Sequence, residues 1–180
     1  MTTIIMKEHE GGVTIGFDAQ TSAGYQNYES PVPKVIVNNG VIFGIAGDVL
    51  DANIIQYADL PSAEDAGWDV DRWVTNDLIP AVMQALVERH ATSFENNKIE
   101  TGNTILAAVK GRVYQIHGDT SWVRRTDGTY AVGSGSEYAL GALRAGVDIR
   151  EALDIASYHD MGTGGTMRVL QAEELTGVAA

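Results

Sequence analysis

Short apolar runs come in pairs joined by tight-turn residues, and the pairs alternate with helical stretches. That order constrains the fold more than any other feature of the chain. Residues 2–7 read as a short apolar-rich strand and His9-Glu10-Gly11-Gly12 as a turn. Residues 13–18 read as the return strand, where Val13, Ile15 and Phe17 alternate with Thr14 and Gly16. Residues 34–37, the turn Asn38-Asn39-Gly40 and residues 41–46 predict a second hairpin, because Asn-Gly suits tight hairpin turns. A third spans 103–109 and 112–117 across Lys110-Gly111, and 121–132 adds one or two strands around Asp127-Gly128. Residues 19–33, rich in Ser, Gly and Asn and containing Pro31 and Pro33, read as loop.

Helical spacing fills the gaps. Asp48 is placed to cap a helix in which Leu50, Ile54 and Tyr57 recur. Residues 61–68 read as a linker. From Asp69 to about Glu95 the pattern is helical, with Leu78, Val82 and Leu86 on one face and a break or kink expected at Pro80. Further helices are expected over about 137–145 and 148–158, after the turn 133–136, with a last short strand over 167–170. This order predicts an α+β chain with two antiparallel sheets and helices outside them. Its 180 residues fit one domain, 1–180, able to bury a real core.

Composition narrows the function. A net charge of −12 argues against phosphate-backbone binding, so no nucleic-acid partner is expected. No apolar run approaches the roughly 18 residues of a membrane helix, and no basic-then-apolar secretory leader opens the chain. No membrane partner is expected, and the cytoplasm is the expected compartment. The absence of cysteine removes disulfides, thiolate metal sites and cysteine nucleophiles together. Gly-x-Ser-x-Gly, the phosphate-binding Gly-x-x-x-x-Gly-Lys loop and His-Glu-x-x-His are all missing. Gly133-Ser134-Gly135 fails the dinucleotide pattern, since Tyr138 stands where its third glycine belongs. His9, His90, His117 and His159 are scattered, which gives a metal cluster or Ser-His-Asp triad little support.

One constellation remains. Thr2 follows the initiator Met1, and a small second residue permits removal of that methionine. An N-terminal threonine carries both a hydroxyl nucleophile and an α-amine able to take its proton. That amine ordinarily has a pKa of about 7.7–8.0, and a nearby ammonium would lower it. If the first turn is centred between Glu10 and Gly11, opposed residues sum to about 21, which sets Thr2 against Asp18 or Ala19. Lys34 opens the next strand and can return to that end. The Ala46-Gly47-Asp48 end of the second hairpin lies at the same edge, where a glycine N–H ahead of a helix is a candidate oxyanion donor. Taken singly, a Thr, an Asp and a Lys in the first 40 residues are ordinary; the weight lies in their joint placement.

These residues resemble those of the proteasome β-subunit and HslV family of threonine peptidases. Thr2-Thr3-Ile4-Ile5 resembles the start of a mature HslV chain, and Phe17-Asp18-Ala19-Gln20-Thr21 its Gly-Asp-Gly-Gln-Ala segment. Asp18 follows Thr2 by 16 residues and Lys34 by 32, which matches the family's spacing. Residues 45–51 resemble its Gly-centred oxyanion turn, 131–135 its Gly-Ser-Gly turn, and 160–165 the proteasome's Asp-x-x-Ser-Gly-Gly segment. The match runs from residue 2 to about 168. The resemblance implies a four-layer αββα sandwich. It implies catalytic roles for Thr2, Asp18, Lys34, Gly47 and Ser134, with Asp160 and Thr163 as partners of the N-terminal amine. It implies substrate contacts at Thr21, Ser22, Gly47 and Val49.

The resemblance further implies a homo-oligomeric ring, with two stacked rings expected, an AAA+ ATPase unfoldase as partner, and unfolded protein substrates. No cofactor is required. A monovalent or divalent cation at the carbonyls of Ser157, Asp160 and Thr163 is one reading of that segment, and a helix end closed by Gly162 and Gly164 is the other. Two departures stand out: the hairpin between Lys34 and Gly47 is two residues short, and Asp48 follows the glycine where the family carries a small residue. The alternatives are an N-terminal-nucleophile amidase acting on a small amide, which needs no ring, and a catalytically silent ring or shell subunit.

Overall fold

The computed structural model describes residues 2–23, 26–30, 32–89, 92–95 and 98–177. Strands β1 (Ile4–His9) and β2 (Gly12–Asp18) form the first hairpin, with Ile4 opposite Phe17 and His9 opposite Gly12. Opposed residues therefore sum to 21, as the turn position predicts. The 19–33 region is a correction to the loop reading. It forms a second small hairpin, β3 (Gln20–Ala23) with β4 (Gln26–Glu29). Its polar residues gave no alternating apolar signal, because β4 is exposed along its length. Pro31 lies outside the described residues.

Strands β5 (Val35–Asn38) and β6 (Val41–Ala46) turn through Asn39 and Gly40, both at positive φ, as Asn-Gly permits. After helix α1 (Val49–Tyr57) and a 3₁₀ turn (Ala63–Ala66) comes one long bent helical passage. It runs through α2 (Val70–Trp73), a π-helical stretch (Val74–Leu78) and α3 (Ile79–Glu88). The irregularity expected at Pro80 takes this form: the Ile79 N–H reaches back five residues to the Val74 carbonyl, and the proline follows where no donor is needed. The helix ends at Glu88, short of Glu95. Two short strands follow, β7 (Ser93–Glu95) and β8 (Lys98–Glu100). His90 lies outside the described residues.

The remaining strands are β9 (Thr104–Val109), β10 (Arg112–Ile116), β11 (Trp122–Val123), β12 (Thr129–Val132) and β13 (Met167–Gln171). Helices α4 (Ser136–Arg144) and α5 (Ile149–His159) precede β13, and a short α6 (Ala172–Thr176), not anticipated from the sequence, follows it. Two sheets result, in the orders β12-β1-β2-β13 and β11-β10-β9-β6-β5, with antiparallel pairing between neighbours.

Three apolar clusters separate four layers. Ile4, Met6, Ile15, Ile42, Leu106 and Tyr130 fill the space between the sheets. Phe43, Ile45 and Val109 face Ile55, Val74, Leu78, Val82 and Leu86 of α1 to α3. Ile5 and Ala131 face Ala139, Ala152, Leu153 and Ala156 of α4 and α5. This is the αββα sandwich. The β6 strand, buried on both faces, shows why: alternate residues serve different clusters. On α1 the buried side is Asp51, Ala52, Ile54 and Ile55, while Leu50 and Tyr57 point outward. The stripe inferred from Leu50, Ile54 and Tyr57 is thus about a third of a turn from the buried face, because a buried aspartate occupies part of that face. Among the described residues no helix is long and apolar enough to cross a membrane.

Candidate functional site

The hairpin register delivers Thr2 and Thr3 to the end of β1 beside Asp18, the last residue of β2; the Asp18 N–H donates to the Thr3 carbonyl. Asp18 is fully buried and is the centre of the site. Its Oδ1 accepts from the Thr2 hydroxyl at 2.7 Å, the Thr3 N–H at 2.9 Å and Lys34 Nζ at 2.7 Å. Its Oδ2 accepts from the N–H groups of Gly164 at 3.0 Å and Gln20 at 3.3 Å. A buried carboxylate needs such partners, and here they come from four separated stretches of chain. Burial lowers the Lys34 pKa from its ordinary value, with the fields of Asp18 and Asp160 opposing that shift.

A second chain of hydrogen bonds runs from the Thr2 nitrogen. That N–H donates to Ser134 Oγ at 3.3 Å, and Ser134 donates to Asp160 Oδ2 at 2.7 Å. Thr163 Oγ1 donates to the same oxygen at 2.6 Å, so the 2.6 Å contact between the Thr3 and Thr163 hydroxyls has Thr3 as donor. Burial pushes the Asp160 carboxyl pKa up, but the bonds from Thr163, Ser134 and the Gly162 N–H outweigh it, and the pKa is lowered. The Gly133-Ser134-Gly135 turn meets Thr2 closely. A Cβ on Gly133, at φ +98°, would stand 2.0 Å from the Thr2 carbonyl oxygen. Gly162 and Gly164 do not close helix α5, as one reading of that segment expected. Their N–H groups serve Asp160 and Asp18, while the Thr163 N–H closes the turn on the Asp160 carbonyl.

Gly47 follows β6 and lines two cavities that also reach Thr2, of about 420 Å³ and about 190 Å³. Thr21, Ser22, Asp48 and Val49 line the smaller one. Asp48 is spent on the backbone as well: its Oδ1 accepts the Leu50 N–H at 2.9 Å as the N-cap of α1. Thr2, Asp18, Lys34, Gly47, Ser134, Asp160, Thr163, Thr21, Ser22 and Val49 therefore gather at one place. The Ser157 hydroxyl donates to the Asp154 carbonyl within α5. Among the described residues no three His, Cys, Asp or Glu side chains converge as a metal site.

Sequence reasoning missed Thr3, Gln20, Asn103 and Asp51. Gln20 Nε2 ties β3 to the Met161 carbonyl at 2.7 Å. Asn103 Oδ1 accepts the Asp48 N–H at 2.6 Å, and its Nδ2 donates to Asp51 Oδ2. Burial raises the Asp51 pKa, with the Asn103 bond opposing and Asp48 adding to the rise. Asp51 and Asn103 lie 52 residues apart, so no local pattern joins them.

Solved structures share this architecture. Thiobacillus denitrificans BPH in complex with epoxomicin superposes with a TM-score of 0.68 at 19% identity, over 94% of this chain and 98% of that one. HslV from Trypanosoma brucei gives 0.62 at 22% identity, over 93% and 97%. The chain has the HslV-type N-terminal-nucleophile hydrolase fold. An Anbu (Gly-1) mutant from Hyphomicrobium sp. strain MC1 gives 0.66 at 15% identity, over 95% and 81%. No protein-family model and no curated protein matches the sequence.

Proposed function

We propose that this chain is a threonine-type endopeptidase in which Thr2, freed of Met1, is the nucleophile. The observation that carries the reading is the Thr2 hydroxyl held by Asp18, itself bonded to Lys34, while the Thr2 nitrogen donates to Ser134, which in turn donates to Asp160. Hydroxyl and amine of one residue are thereby fixed together, as nucleophile and base require. With Met1 attached, the Thr2 nitrogen is an amide and cannot act as a base; after removal it is the α-amine. Met1 itself lies outside the described residues.

In the proposed reaction the α-amine takes the Thr2 Oγ1 proton as the oxygen attacks the scissile carbonyl. The Gly47 N–H stabilises the oxyanion. The carbon–nitrogen bond breaks, the departing amine leaves with the proton, and an ester on Thr2 remains. Water, deprotonated by the same amine, hydrolyses that ester. Asp18 and Lys34 orient the hydroxyl and set the local field. Substrate side chains enter the cavity lined by Thr21, Ser22, Gly47 and Val49. No step uses a cofactor. A cation at the carbonyls of Ser157, Asp160 and Thr163 would share the Asp160 carbonyl with the Thr163 N–H that already occupies it, and nothing in the reaction is routed through it.

Intact mass of the active protein tests the premise. The expected mass lacks one methionine, and full retention of Met1 in a preparation that hydrolyses peptides would sink the mechanism.

The working form is proposed to be a closed ring, with two rings stacked, acting in the cytoplasm on unfolded chains delivered by an AAA+ ATPase. Val74, Leu78, Val82 and Leu86 are consumed by the chain's own core and are not free for subunit contacts. Exposed Leu50, Tyr57, Trp68, Val87, Tyr158 and Met161 are among the apolar side chains left for subunit contacts. Light scattering should find activity in a high-mass species. A 19.3 kDa form hydrolysing peptides at full rate would favour a small-amide amidase instead.

A further inference from the structure

Asn103 and Asp51 stand outside every role above, yet both side chains are buried, with 4% and 3% exposure. Their placement follows from the sheet. Ala46 of β6 pairs with Thr104 of β9, so the next residue on each strand brings Asn103 against Gly47. A Cβ built on Gly47 would lie 1.4 Å from Asn103 Oδ1, in a backbone at φ +148°. The amide of Asn103 occupies the space a side chain at position 47 would need.

The direction of the contact is fixed by chemistry. The Asp48 N–H can only donate, so the amide atom facing it is the oxygen, and the Asn103 NH₂ then faces Asp51. A glycine has the widest backbone range of any residue and nothing of its own to restrain it. Here the neighbouring peptide plane is gripped instead. The Gly47–Asp48 peptide cannot rotate without breaking the 2.6 Å bond to Asn103.

We propose that Asn103, braced by Asp51, is a positioning residue that holds the Gly47–Asp48 backbone so that the Gly47 N–H faces the attacked carbonyl. The inference rests on the peptidase reading and adds two residues to it. Asp51 supplies the argument that the arrangement serves chemistry. Burial disfavours its charge, so its presence on the inner face of α1 does not favour the fold. What a carboxylate offers there is an acceptor that forces Asn103 to present its NH₂ to α1 and its oxygen to Asp48.

The test uses the processed, assembled protein and a fluorogenic peptide. Asn103→Ala should lower kcat by about a hundredfold, the order seen when an oxyanion donor is lost, with KM within about threefold. Amide exchange of the segment 46–50 should rise in parallel. Asp51→Asn keeps an acceptor and should retain activity within about fivefold, at a Tm no lower than wild type at neutral pH. Asp51→Leu fills a similar volume without an acceptor and should behave like Asn103→Ala. Because the Asp51 pair differs in hydrogen bonding and little in size, it decides the matter even where Asn103→Ala fails to assemble. Equal kcat in Asp51→Asn and Asp51→Leu would overturn the proposal. So would faster exchange at 46–50 in Asn103→Ala with kcat unchanged. Were the wild type inert on peptides, the peptidase reading and the oxyanion role would both fall. The exchange data would still decide whether Asn103 holds the backbone.

Discussion

Lys34→Ala should cut peptide hydrolysis by about a thousandfold or more with the fold retained, because removing one member of a catalytic unit removes most of its effect. Lys34 Nζ is one of three donors on Asp18 Oδ1, and its loss frees that oxygen to pull the Thr2 hydroxyl out of line. Lys34→Arg should not rescue the activity, since a planar guanidinium cannot replace a compact ammonium at 2.7 Å in a pocket where the side chain is 13% exposed. Asp18→Asn should act in the same direction with a smaller loss. The pH profile carries the sign of the Lys34 shift. Activity should fall at alkaline pH as Lys34 deprotonates, and burial sets that limb below the ordinary lysine value of about 10.4. Near wild-type kcat/KM in Lys34→Ala, or an alkaline limb at or above the ordinary lysine range, would contradict the role.

Gly47→Ala is expected to be nearly as damaging and for a different reason. The added Cβ falls onto Asn103 Oδ1 and Cγ, at 1.4 Å and 2.4 Å. One of them must move, and either way the Asp48 N–H loses its acceptor. Turnover should fall by about a hundredfold or more, the scale of a lost oxyanion donor. The backbone strain should cost about 1–3 kcal/mol of stability, read as a lower Tm. Thr2 chemistry itself is untouched, so slow covalent labelling of Thr2 should persist in Gly47→Ala. Wild-type turnover in this variant would remove Gly47 from the mechanism.

The strand end that builds the site was legible because its determinants are local. The turn at Glu10-Gly11 fixes the β1–β2 register, and the register alone sets Thr2 and Thr3 against Asp18. Asn39-Gly40 does the same for the hairpin that ends at Gly47. Ser134, Asp160 and Thr163 came only through family resemblance, since nothing local ties them to residue 2. Asn103 and Asp51 stayed hidden because their meaning depends on which β6 residue faces which β9 residue, a non-local fact. The outward turn of Leu50 and Tyr57 was hidden for the same cause, as a buried aspartate breaks the apolar period of α1. The β3–β4 hairpin eluded pattern because its polar strands, β4 exposed along its length, carry no apolar alternation, and the register between them is held by backbone pairing.

Asp18 draws its donors from residues 2–3, 20, 34 and 164. A ribosome delivers the first of these long before the last. At about 5–20 residues per second, Gly164 follows Asp18 by about seven to thirty seconds. Throughout that interval Asp18 Oδ2 has the Gln20 N–H but not that of Gly164, and the Thr3 hydroxyl lacks Thr163. The hydrogen-bond set around Asp18 therefore closes only when β13 docks beside β2. The order of synthesis withholds the finished arrangement until that strand has been made.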